Sequence, residues 1–323
     1  MNKSQVSKET VKPEPSMPIH AELSQSPKPR PTGAVPIPMT NDYLFRAFLQ
    51  RNNRALKGLV AALLYKEPEA IASAEIMNPI ELGNSVNDKT FILDIRVSLN
   101  NHTRINLEMQ VINEHNWTER SLCYLCRDFS QLTSGEKYQT VKPVIQIGIL
   151  NFSLFPQYPE FYATYKMLNV KTYTLYSDKL RLSVLDLTHR ELATEQDRKY
   201  QLNNWAALFK AATWEEINML AQENEAIREA AETVYQLTRE ERIRMECEAR
   251  EDYYRTQRDL QKFIAQQTSE KESLIQENKA LLDQRNALAN ENNALADEIK
   301  ALTDKLNRLQ KSLEAQGLNF ADM

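Results

Sequence analysis

The stretch TFILDIRVSLNNHTRINLEMQV, residues 90 to 111, decides how this chain is read. In its second half Ile105, Leu107, Met109 and Val111 alternate strictly with Asn106, Glu108 and Gln110. Side chains of a strand point to opposite faces in turn, so this is a strand with one apolar and one polar face. SLNNHT supplies turn residues, which predicts a hairpin. A three-residue loop, Asn100 to His102, faces Leu99 with Thr103. Asp94 then stands opposite Glu108, Arg96 opposite Asn106, and Gln110 opposite Ile92. Opposed side chains share a face at roughly 5 Å between Cβ atoms. A two-residue loop would send the two acids to opposite faces.

Two opposed carboxylates repel, and something must offset this. A divalent cation is the natural candidate. Mg²⁺, or alternatively Mn²⁺, takes hard oxygen ligands, commonly one or two carboxylates plus substrate phosphate. Gln110, one pleat along, can hold a water by hydrogen bonding but cannot act as a base. A plain solvated hairpin face is the other reading that these residues allow.

Outward from the hairpin, TNDYLFRAFLQ predicts a helix capped by Thr40 or Asn41, with Leu44, Phe45, Phe48 and Leu49 at helical spacing. NRALKGLVAALLY reads as a second helix. SAEIMNPIEL, KPVIQIGILNF and LRLSVLDL read as further strands. WTERSLCYLCRDFSQL reads as a helix that runs to about Leu132 and stops near Gly135. Strands around a helix, after two helices, make an α/β or α+β domain. From about residue 200 onward the chain is expected to be helical. TWEE (213 to 216) and TREE (238 to 241) each fit a capping box.

From residue 270 the pattern repeats by sevens. Leu274, Leu281, Leu288, Leu295, Leu302 and Leu309 share one seam position, and Asn278 and Asn292 fall on the other. Leucines in register predict a coiled coil, and the seam asparagines favour a parallel homodimer. The division expected is a Pro-rich disordered arm (1–38), an α/β domain (39–200), a helical extension (201–258), the coiled coil (259–315) and a tail (316–323).

Composition bounds the partners. The chain has 323 residues and a formal charge of −4. That charge is uneven: residues 39 to 200 carry +1 and residues 201 to 323 carry −7, so the middle part is no poor partner for nucleic acid. Eight of the thirteen prolines lie in the first 38 residues, which cannot bury enough apolar area to order themselves. No apolar leader opens the chain, and VIQIGIL (144 to 150) is too short to span a bilayer. Three cysteines make no disulfide framework, so a cytoplasmic location is expected.

Asp in one strand followed by Glu-x-Gln in the next resembles the signature of the PD-(D/E)XK nuclease superfamily. The flanks make the match specific. TNDYLFRAF, LDIR, INLEMQ, RSLCYL with GEKY, KPVIQIGILNFSLF and WAALFKAATWEEI occur in the order seen in the Rpn family of recombination-promoting nucleases, also described as transposases. The resemblance covers roughly residues 38 to 258. It implies a restriction-endonuclease-like core, a mixed sheet flanked by helices, and metal-dependent phosphodiester cleavage of DNA. Asp94 and Glu108 would be metal ligands, Gln110 would stand where a lysine is usual, and Asp42 would be an accessory acid. Arg96, Arg120 and Tyr124 would contact substrate. Two positions depart from the pattern: Leu93, not proline, precedes Asp94, and Cys123 precedes Tyr124 where relatives often carry paired tyrosines.

Other motifs weigh less. Cys123 and Cys126 have CxxC spacing but no second pair to complete a zinc site. A leucine-zipper transcription factor needs a basic helix running into the zipper, and residues 239 to 262 carry seven basic and seven acidic residues. Two further readings stay open: a catalytically silent coiled-coil protein that binds nucleic acid or a partner on a nuclease-like fold, and a transposase that makes strand-transfer products.

Overall fold

A computed structural model describes residues 31–80, 94–100, 102–132 and 134–315. Helix α1 (Asp42–Arg51) opens the domain, and Asn41 caps it by accepting from the Leu44 N–H at 3.1 Å. Helix α2 (Asn53–Leu63) follows, capped by Asn52. Strands β1 (Ala74–Ile76), β2 (Ile95–Leu99) and β3 (Thr103–Gln110) come next, then α3 (Trp117–Phe129) and β4 (Val144–Leu150). Two more strands, β5 (Tyr162–Tyr165) and β6 (Leu180–Asp186), complete a six-stranded sheet in the order β1-β2-β3-β4-β6-β5. Its centre, β3-β4-β6, is parallel, and the flanking pairs are antiparallel. This is the α/β domain that the residue pattern implies, with the mixed sheet flanked by helices that the family resemblance implies. The connection from β3 to β4 passes through α3, as a parallel pair requires.

The hairpin register is the one expected from a three-residue loop: Leu99 pairs with Thr103, Arg96 with Asn106 and Ile95 with Leu107. One face of the sheet therefore carries Ile95, Val97, Leu99, Ile105, Leu107, Met109, Ile147 and Ile149, all buried in the main core. Helices α1, α2 and α5 (Leu202–Lys210) contribute to that core, together with α6 (Trp214–Glu223) and α7 (Glu225–Leu237). A short α4 (Glu195–Lys199) precedes them, closed by a reciprocal capping box between Thr194 and Asp197. The other face is polar near β2 and β3 and is covered by α3. Trp117 packs there with Leu150 and Val184 in a small second core. It lies over Gly148: a Cβ at that position would come 2.1 Å from Trp117 Cζ2.

The last helix, α8 (Glu241–Ala315), runs 75 residues, on the order of 110 Å at the usual rise. Ile243, Glu246, Cys247 and Tyr254 are buried against the domain, while the heptad leucines from Leu274 to Leu309 are half exposed on the single chain.

Several elements differ from the sequence reading. Residues 31–38, placed in the arm, pack onto the domain: Ile37 is buried, Val35 donates to the Ala212 carbonyl, and Gly33 donates to Glu215. SAEIMNPIEL gives only the three residues of β1, which ends shortly before Pro79, and residues 81–93 lie outside the described part. Helix α3 ends at Phe129 rather than Leu132. Thr213 does cap α6, but Glu216 accepts from Ala212 rather than from the cap itself. Thr238 opens no helix: it is the C-cap of α7, and its hydroxyl donates to the Tyr235 carbonyl. Strand β5 was not foreseen. It is four residues long on the sheet edge, with no alternation to announce it.

Candidate active site

Continuing the register by one residue sets Asp94 opposite Glu108 on the polar face. Asp94 is 2% exposed and Glu108 3%. None of their four carboxylate oxygens accepts an aligned hydrogen bond. Buried carboxylates are ordinarily hydrogen-bonded or paired, since an ion out of water is costly. The nearest positive groups are two arginines. Arg120 Nη2 of α3 lies 2.7 Å from Glu108 Oε1, and Arg96 Nε lies 3.5 Å from Asp94 Oδ2. Burial pushes the Glu108 carboxyl up to about 7; Arg120 opposes this, while Asp94 and Glu114 add to it. Burial raises the Asp94 carboxyl too, against the pull of Arg96 and Arg46. Burial thus favours the neutral form of both carboxyls, and a cation between them would favour the charged form.

The rest of this face is polar as well. Gln110, 8% exposed, also has an unpartnered Oε1. Asn106 donates to Gln146 Oε1 at 2.8 Å, forming a buried amide floor one pleat below the acids. Arg104 donates to the Asp128 carbonyl at 3.0 Å, and Arg96 reaches the Asp128 carboxylate at 3.8 Å. Tyr124 lies between two guanidinium groups of its own helix, Arg120 at 5.5 Å and Arg127 at 5.2 Å from the ring centre. The i, i+4 and i, i+3 spacings put all three on one stripe of α3.

Two residues that the sequence reading passed over fix the Asp94 segment. Arg46 of α1, 1% exposed, donates to the main-chain carbonyls of both Asp94 and Asn78. Asn78 in turn donates to the Asp94 carbonyl at 3.0 Å and accepts from the Arg96 N–H at 2.9 Å. These bonds hold the two peptide groups that flank Ile95, directly after Asp94, where regular pairing of β2 begins.

Both oxygens of Asp42 are taken by Arg250 of α8, whose guanidinium also lies over the rings of Tyr253 and Tyr254. Through this pair Asp42, the expected accessory acid, ties α1 to α8. Asn41 reinforces this tie by donating to the Cys247 carbonyl and to Glu251. Farther along α8, Gln261 donates to the Asn113 carbonyl and Tyr253 to Glu114, in the segment that leads from β3 to α3.

Cys123 and Cys126 are exposed on α3, and no group of three His, Cys, Asp or Glu side chains suited to a metal ion occurs among the described residues. What the site offers is two carboxylates and an amide oxygen, buried and without hydrogen-bond donors. An all-oxygen set with two acids fits a hard divalent cation that keeps several waters and shares a phosphate with its substrate. Soft metals would want sulfur or imidazole, which the site lacks.

No helix among the described residues is long and apolar enough to cross a membrane. Searches of curated proteins and of solved structures gave no match. A family profile described as PD-(D/E)XK nuclease family transposase matches residues 39–267, from the start of α1 to beyond the last contact of α8 with the domain. The acid pair, the mixed sheet and the match over most of the chain agree: this protein belongs to the PD-(D/E)XK nuclease family transposases.

Proposed function

We propose that the protein is a metal-dependent DNA endonuclease that hydrolyses phosphodiester bonds. The observation that carries this reading is the set of four buried carboxylate oxygens on Asp94 and Glu108, which accept no aligned hydrogen bond and are faced by the Arg120 and Arg96 ion pairs. Asp94 and Glu108 would hold the ion, Mg²⁺ or alternatively Mn²⁺. Bound there, it supplies Lewis acidity toward a phosphoryl oxygen and acidifies a water.

The remaining work falls to the chain. Gln110 positions a water through its amide and takes no proton. Arg120, the counter-charge of Glu108 in this structure, turns to a phosphate oxygen, and Tyr124 braces it. Arg96, aligned by Asp128, takes a second phosphate oxygen. Arg46 and Asn78 hold Asp94 in place. A water oxygen bonds to phosphorus as one ester P–O bond breaks; the water gives a proton to solvent and the leaving sugar oxygen takes one from solvent, which leaves a phosphate monoester and a hydroxyl.

The half-exposed leucine seam of α8 supports a parallel homodimer, which would place two such sites at the base of one coiled coil. Removing the chain after residue 265 is expected to leave a monomer that still binds metal. A truncated chain that sediments as a dimer would refute the seam.

Plasmid nicking tests the activity, with Mg²⁺, Mn²⁺ or EDTA and with Asp94→Ala and Glu108→Ala beside the natural chain. Metal-dependent cutting lost in both variants is expected. A folded protein that cuts under no metal would leave the silent binding module as the reading.

A further inference from the structure

Between β5 and β6 the chain leaves the sheet as a finger. Leu168 bridges Leu175, Tyr176 N–H donates to the Met167 carbonyl, and Asn169 N–H donates to the Thr174 carbonyl. The tip is tightly built: the Asn169 side chain accepts from the N–H groups of Lys171 and Thr172. Residues 164–176 are exposed without a break. Val170 is 86% exposed, Tyr173 76% and Tyr176 81%.

Three features call for a partner. First, apolar and aromatic side chains stand in solvent on both faces of the finger, with Met167 and Tyr176 cross-strand and Leu168 beside Leu175. Second, Tyr173 is held at φ +56°, a left-handed conformation that is costly for a bulky residue. Such strain persists where the fold over-determines it, and it clusters at working sites. Third, residues 161 to 177 contain Lys166 and Lys171 and no acid, in a chain of net charge −4. Rings interleaved with isolated positive charge are the composition of a surface that stacks bases and tracks a backbone.

The position of the finger fits the same partner. It roots at the N-terminal end of β6, where Val144 pairs with both Arg104 and Leu180. Its base is thus two strands, roughly 10 Å, from Arg104. The guanidinium groups of α3 lead that way from the acids: Arg120 sits at Glu108, and Arg127 lies seven residues on, next to the Asp128 carbonyl that Arg104 holds. The base of the finger meets α3 again across an apolar groove of about 380 Å³, between Leu122 and Cys126 on one side and Tyr165 and Met167 on the other.

We propose that the finger, residues 165 to 176, is a stacking platform for unpaired bases of the nucleic-acid strand that the acid pair engages. Tyr173 and Tyr176 stack the bases and Lys171 takes a phosphate. The substrate is then a duplex carrying an unpaired segment, such as a fork or a flap, rather than a blunt duplex. This rests on the nuclease reading only for the identity of the strand.

The test is fluorescence anisotropy of the full chain in EDTA, where no strand is cut. One labelled probe is a fork with a single-stranded arm of about ten nucleotides, the other a blunt duplex. Tyr173→Gly is the main variant, since glycine accepts the backbone conformation and the finger keeps its shape. Tyr176→Ser is the second. Each is expected to weaken fork binding about tenfold with the salt dependence unchanged, and to leave duplex binding within about twofold. Lys171→Gln should lower the salt slope by about one. Variants that bind the fork like the natural chain would overturn the proposal. So would equal losses on fork and duplex, or a changed mass of the free protein in sedimentation, which would make the finger a surface between copies. A natural chain that shows the tyrosine effect yet nicks nothing with Mg²⁺ or Mn²⁺ would remove the nuclease reading and leave the platform standing.

Discussion

The two faces of one hairpin bury the residues at their centre equally and do opposite things. On one, Ile95, Val97, Ile105 and Leu107 are at most 1% exposed and meet only apolar neighbours. On the other, Asp94, Asn106 and Glu108 are at most 3% exposed, yet both acids lack hydrogen-bond donors. Burial stabilises the first face, at about 1.5–3 kcal/mol per large side chain. On the second it is a cost that the fold carries, and one that the proposed cation would offset. The same alternation of the chain produces both, and only the chemistry of alternate residues separates them.

The largest expected effects are opposite in kind on the two faces. Glu108→Gln should lower the cutting rate about a thousandfold, since several kcal/mol of charge stabilisation rest on the ion. It should not destabilise the metal-free fold at neutral pH. Leu107→Ala should cost about 2–5 kcal/mol of stability. Its remaining folded fraction should cut at the natural rate. Denaturant midpoints and nicking rates per folded molecule read both. A Glu108→Gln protein that unfolds more easily and cuts normally would erase the distinction.

A pH series sharpens the comparison. The Glu108 carboxyl sits at about 7 in the folded chain, above its ordinary 4.5, so folding favours its protonated form. That contribution is fully present below about pH 4.5 and is lost as pH rises through about 7. The loss is about 3 kcal/mol at 1.36 kcal/mol per tenfold. Metal-free protein should therefore weaken between pH 5 and 8 (roughly the window those two values set), and Glu108→Gln should flatten that slope. Saturating Mg²⁺ should raise the midpoint at the alkaline end and barely move it at the acid end, because a cation needs the ionised form. Identical pH slopes in the two proteins would sink the assignment of Glu108 as the buried titrating group.

Much of this was legible in the residues, and the limit has a physical cause. The register followed from SLNNHT and strict alternation, because a strand repeats every two residues and a one-residue slip reverses its faces. Asn41 as a cap, and α1 and α2 as helices, followed from local spacing. The resemblance to a nuclease family added the role of the hairpin acids. What escaped was long-range polar pairing. Arg46 reaches the Asp94 carbonyl across 48 positions, and Arg250 takes Asp42 across 208. Neither leaves a periodic trace, so the tie of Asp42 to α8 could not be read from the residues. Strand β5 escaped because its pairing with β6, not its own sequence, makes it a strand.

Two glycines give the smallest and cleanest contrast. A Cβ on Gly58, in α2 on the apolar side, would lie 2.5 Å from Ala226 Cβ; one on Gly148, in β4, would lie 2.1 Å from Trp117. Overpacking of this kind costs about 1–3 kcal/mol, so both alanine variants should lose comparable stability. Their effects on cutting should differ. Ala226 begins a helix that touches only the core side, whereas Trp117 is the first residue of α3, three positions before Arg120. Pushing Trp117 off the sheet lifts the helix turn that holds Arg120 against Glu108. Gly148→Ala should therefore slow cutting per folded molecule and red-shift tryptophan emission, while Gly58→Ala should leave the rate per folded molecule unchanged. If both glycine variants cut alike, α3 is a cover for the acid pair and not the element that positions its arginine.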